Sequence, residues 1–77
     1  MGIIMGINKY QKEYKVLADK LRVARMASGL GQGRVAAEIE KSQSYVSKVE
    51  AGKINIGAVE LSQLAKVYKK PMEHFLS

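Results

Sequence analysis

Cysteine is absent from this 77-residue sequence. No disulfide framework and no thiolate metal site can therefore make up for a small core. Size limits that core, because a chain this short buries only roughly 60% of the surface its unfolded form exposes. Histidine is nearly absent too. The single His74 stands beside Phe75 with no cluster of carboxylates around it, which excludes a metal site and a histidine-based catalytic centre. Serines without a nearby histidine base offer no activated nucleophile, so the chain reads as a non-enzyme that takes no cofactor. No apolar run approaches the roughly 20 residues that a membrane span needs. The start, Met1 to Ile7, is apolar through Ile3, Ile4, Met5 and Ile7, but it is short and lacks the positive flank and cleavage site of a signal peptide. Acidic residues are in deficit as well, 7 against 13 Lys plus Arg, for a net charge of +6. That imbalance points to a polyanionic partner, either nucleic acid or an anionic membrane surface.

What is present is helical periodicity, with no internal repeat, no low-complexity tract and no sustained strand-like alternation. From about Lys9 to Ala27, the residues Tyr10, Tyr14, Leu17, Leu21 and Ala24 recur at spacings of four and three, the stripe of a helix with one buried face. This stripe is needed for the core, which argues against membrane binding through the same helix. Gly29 suits the left-handed cap that ends it. A second, shorter helix is predicted from Gln32 to about Ile39, with Gly31 as N-cap and Val35, Ala36 and Ile39 inward. After a tight connection at Glu40-Lys41, Ser42 is a good N-cap for a third helix, Gln43 to Ala51, with Val46 and Val49 inward. Beyond Gly52 and the linker Ile54-Asn55-Ile56, a fourth helix is predicted from Ala58 to about Lys69. Its apolar set is Val59, Leu61, Leu64, Ala65 and Tyr68. Pro71 stops it and opens a fifth, Met72 to Leu76. The expectation is an all-α protein, a compact five-helix bundle. Residues 1–8 form a leader, read either as a frayed end or as an arm packing on a partner, and 9–77 form the domain.

Gly29, Gly31 and Gly33 do not make a phosphate-cradling loop, since no strand precedes them and the spacing differs from G-x-G-x-x-G. The informative feature is the pair of short helices joined by a tight turn, Gln32 to Glu50. Small Ala36 lets them approach, and Val46 and Val49 seat the second on Val35 and Ile39. Such a frame presents the outward residues Gln43, Ser44, Ser47 and Lys48 to a major groove. Glutamine pairs with adenine N6 and N7, lysine donates to guanine O6 and N7, and serine hydroxyls suit phosphate oxygens.

These residues resemble the Cro and repressor-like (Xre-type) helix-turn-helix family. The segment LRVARMASGLGQ is similar to its first helix and entry to the second, RVAAEIEKSQSYVSKVEAGK to its helix-turn-helix, and VELSQLAKVYKKPMEHFL to its two closing helices. The resemblance implies a phage-repressor-like bundle with the helix-turn-helix at helices 2 and 3. It implies a cytoplasmic, nucleoid-associated transcription regulator, a repressor that binds double-stranded DNA as a homodimer on a near-palindromic operator. Gln32 would touch a phosphate and help orient a base reader. Gln43, Ser44 and Lys48 would reach base edges, and Ser47, Lys53 and Asn55 would meet the backbone. Tyr45 would either stack on sugar or phosphate or pack inward. Arg25 and Glu50 occupy the positions of a family salt bridge. Glu40 departs from the pattern, standing where the family usually has glycine. Gly31, Gly33, Ile54 and Gly57 replace commoner capping or basic residues. The alternative function is a protein-interaction module, such as the antitoxin of a toxin-antitoxin pair, with a protein partner meeting the apolar ends Met1–Ile7 and Met72–Leu76.

Overall fold

The computed structural model describes residues 11–76, and the leader expected at 1–8, with Lys9 and Tyr10 of the predicted stripe, lies outside them. Among the described residues there are five α-helices and no strand: α1 Gln11–Ala27, α2 Gln32–Glu38, α3 Gln43–Glu50, α4 Ala58–Val67 and α5 Met72–Leu76. The all-α bundle expected from periodicity is the observed architecture.

Local chemistry sets the boundaries. At the end of α1, Gly29 takes φ +73° and Leu30 N–H closes back on the Arg25 carbonyl at 3.3 Å, a glycine-terminated helix end. α2 begins at Gly31 without a side-chain cap. α3 begins at Ser42, whose hydroxyl accepts from Tyr45 N–H at 3.1 Å and so satisfies a donor that the first turn leaves without a helical partner. Gly52, at φ +73°, closes α3, and Lys53 N–H reaches the Lys48 carbonyl at 2.9 Å. α4 is shorter than its apolar pattern predicts. Tyr68 is its C-cap and Lys69 turns to φ +57°, with Lys70 N–H bonded to the Ala65 carbonyl at 2.9 Å. A lysine in the left-handed region is uncommon, and no sequence signal marks it.

The core gathers Leu21 and Ala24 from α1, Val35, Ala36 and Ile39 from α2 and its cap, Val46 and Val49 from α3, Leu61, Leu64, Ala65 and Tyr68 from α4, and Phe75 from α5. The short pair α2 and α3 pack most extensively on each other, while α1 bridges to α3 and α5. Two expected core members are exposed. Tyr14 is 40% exposed, at the edge of a small hollow lined also by Leu17, Val49 of α3 and the linker residues Ile54 and Ile56. Val59 is 67% exposed because it lies two residues before buried Leu61, about 200° around the helix. In their place Ala18 is buried, small enough for close approach of its neighbours. Of the closing residues, Phe75 is buried, Met72 half-buried and Leu76 exposed.

Candidate nucleic-acid interface

α3 is a helix of two unlike faces. Val46 and Val49 lie in the core at 2% and 3% exposure, while Gln43, Ser44, Ser47 and Lys48 are exposed. The Ser42 cap fixes where the helix begins, so its first turn presents Gln43 and Ser44 at a defined end. Lys53 and Asn55, in the loop that follows, are also exposed. Chemically this surface combines an amide able to donate and accept, two hydroxyls and ammonium groups, with no carboxylate on the outward face of α3.

A polar clamp fixes the other end of the helix. The Arg25 guanidinium of α1 donates from Nε to Glu50 Oε2 at 2.7 Å and from Nη2 to Glu50 Oε1 at 3.1 Å, a fork-on-carboxylate geometry. Its remaining nitrogen, Nη1, donates to the Leu30 carbonyl at 2.9 Å. Gln32 adds a third hydrogen bond to the carboxylate, from Nε2 to Glu50 Oε1 at 3.1 Å. The side chains of Arg25 and Glu50 are 15% and 4% exposed, so the pair is largely buried rather than a surface contact. Hydrogen bonding to Glu50 raises the Arg25 pKa further above its ordinary value, against the opposing effect of burial. Gln32 is half-buried and is held here by protein, so its position relative to α3 is set before any ligand arrives. Tyr68 of the α4 cap is buried nearby. Its phenol is pushed up to about 12, by burial first and by the Glu50 charge second, with Arg25 acting in the opposite sense.

Glu40, in the turn between α2 and α3, adopts φ +57°, and its exposed side chain stands in the only non-glycine residue of left-handed backbone within the helix-turn-helix. Tyr45 is half-buried against the core, with the Lys41 ammonium 5.3 Å from its ring centroid. Lys41 also lies 3.7 Å from Glu60 Oε2 at the start of α4. Sequence reasoning singled out neither Lys41 nor Glu60. The available signal was Glu60 three residues after the α4 cap Gly57, a spacing at which a glutamate folds back over its own helix start. Among the described residues no group of three or more His, Cys, Asp or Glu is arranged to hold a metal ion, and no helix is long and apolar enough to cross a membrane.

Residues 16–73 match the family described as the helix-turn-helix domain, which is most of the chain. The chain belongs to this family. Among solved structures, the domain is similar to the restriction-modification controller protein C.AhdI from Aeromonas hydrophila. The two are 27% identical with a TM-score of 0.80, over 86% of this chain and 96% of that one. No curated protein sequence matches the chain. The helix-turn-helix domain is of the Cro and repressor-like kind, and it is a DNA-binding regulator.

Proposed function

We propose that this helix-turn-helix domain is a transcriptional repressor that reads a near-palindromic operator as a dimer. The observation that carries the reading is the exposed row Gln43, Ser44, Ser47 and Lys48 on a helix whose other face is buried and whose far end is clamped by Arg25 and Glu50. Gln43, Ser44 and Lys48 are the base readers. Ser47, Lys53 and Asn55 contact the sugar-phosphate backbone, and Gln32 meets a phosphate while the Glu50 bond orients it. Tyr45, half-buried, contributes mainly its ring edge and its packing. The likeness to a controller protein supports a regulatory role.

Support for the dimer is the apolar surface left on the outer side of α1 and on α5, where Val16, Val23 and Leu76 are 46%, 58% and 64% exposed. A two-fold dimer sets two copies of α3 about one helical turn apart on DNA, roughly 34 Å. The same apolar surface favours a second reading, a protein-interaction module of the antitoxin kind. Stable co-purification with a protein, together with absent or salt-insensitive DNA binding, marks that reading.

The deciding experiment incubates the protein with a random duplex library near physiological salt and sequences what stays bound. Enrichment of a two-fold symmetric site is the expected result, and an unenriched pool removes the proposal. On the enriched site, Lys48→Ala is expected to cost about 1–3 kcal/mol and relax preference at one base position. An equal loss on every sequence assigns Lys48 to a phosphate instead.

A further inference from the structure

We propose that Glu60 sets how many DNA phosphates this domain neutralises, by withholding Lys41 from them. The inference rests on the DNA-binding reading and adds a residue pair that lies outside the base-reading row.

Lys41 immediately precedes Ser42, the cap of α3, and so stands at the end of the helix that carries Gln43 and Ser44. Glu60 lies in the first turn of α4, just after the loop that bears Lys53 and Asn55. The fold brings these two segments together, with Lys41 Nζ 3.7 Å from Glu60 Oε2. The ammonium is also held from a second side, 5.3 Å from the Tyr45 ring centroid. The pair lies at the surface, with the Lys41 side chain 38% exposed and that of Glu60 half-buried at 26%. The Glu60 carboxylate has a fixed seat as well. A methyl group built on Gly57 would come 2.6 Å from Glu60 Oε1, so the carboxylate lies folded against the start of its own helix. Burial raises the pKa of Tyr45, and the nearby Glu60 charge adds to the same direction.

The electrostatic consequence follows from counting ions. A lysine that neutralises a phosphate releases a condensed counterion and steepens the salt dependence of binding, by about 0.9 in the log-log slope for duplex DNA. A lysine already paired with a carboxylate contributes little. If Lys41 left for a phosphate, Glu60 would stand unpaired beside the polyanion. The pair therefore removes one cation from the phosphate count of a domain whose net charge is +6.

The test measures the affinity of the full chain for a non-specific duplex of fixed sequence, by fluorescence anisotropy, across a salt series. Glu60→Gln is expected to steepen the slope by about one unit relative to the wild type. Lys41→Ala is then expected to flatten it more in the Glu60→Gln background than in the wild type. Thermal unfolding of each variant verifies the fold. Glu60→Asp, which keeps the charge at the helix start but withdraws it from Lys41, takes the place of Glu60→Gln should that variant unfold, and is expected to steepen the slope by a smaller amount. A slope unchanged on replacing Glu60, or equal effects of Lys41→Ala in both backgrounds, overturns the proposal. Absence of salt-dependent binding by the wild type overturns the DNA-binding reading with it, so the two failures are distinguishable.

Discussion

At the scale of single residues, the Arg25–Glu50–Gln32 clamp and the neighbouring Tyr68 carry the sharpest expectations. Removing Arg25 leaves a carboxylate that is 4% exposed with only Gln32 to satisfy it. Arg25→Ala is therefore expected to destabilise the domain by about 3 kcal/mol in urea unfolding, where breaking a buried pair is the governing case. Arg22→Ala is the contrast. Its pair with Asp19 has side chains 47% and 71% exposed, so the change is expected to stay within about 0.5 kcal/mol. A result that ranked the two alike would remove the clamp from the account of stability. Tyr68 bears on alkaline pH. Its phenol titrates from 10.0 in the unfolded chain to about 12 in the folded one. Between those values the unfolded chain has lost the proton and the folded one keeps it, so stability falls as pH rises through that window, by about 2 kcal/mol at its upper end. The hydroxyl is buried without a hydrogen-bond partner among the described residues. Tyr68→Phe is therefore expected to be neutral or stabilising by about 1 kcal/mol at pH 7 and to flatten the alkaline decline. A variant that is less stable and keeps the full decline contradicts both parts.

At the scale of elements, the helix ends decide where the polar row of α3 is presented. Ser42 supplies the cap of α3, and Ser42→Ala is expected to cost about 1 kcal/mol, read as a lowered midpoint in thermal unfolding. Glu40 holds the turn before it at φ +57°, a conformation in which an L side chain crowds the following carbonyl. Glu40→Gly trades that strain, about 1–2 kcal/mol, against the smaller entropy cost of glycine, so it is expected to raise stability by about 0.5–1 kcal/mol. Equal or lower stability would show that the Glu40 side chain makes a compensating contact in solution. Most of these ends were legible in the sequence because capping is local chemistry: Gly29, Gly52 and Ser42 mark them through their own backbone and hydroxyl. The end of α4 was legible to within about two residues, because Pro71 stops the helix. The left-handed turn at Lys69 was not legible, since neither Tyr68 nor Lys69 is a residue type that favours that backbone.

At the scale of the whole molecule, several large apolar side chains of the described residues stay outside the core. Val16 and Val23 on the outer side of α1 and Leu76 of α5 make one such surface, while Met26, Ile54 and Val59 are exposed as well. For the dimer proposed above, Val23→Glu is expected to shift sedimentation toward monomer while leaving thermal unfolding of the dilute protein almost unchanged, as for an exposed site. Unaltered sedimentation would place the subunit contact elsewhere. The helical periods, the apolar residues of α2 and α3, the caps and the polar row Gln43, Ser44, Ser47 and Lys48 were determined by the sequence alone, because periodicity and capping act over a few neighbouring residues. Only the tertiary structure decided that Tyr14 and Val59 stay exposed, that Gln32 bonds to Glu50, that Tyr68 lies beneath the clamp, and that Glu60 reaches Lys41. Those outcomes depend on which elements meet in space, between residues as far apart in the chain as Arg25 and Glu50, and no local pattern encodes that distance.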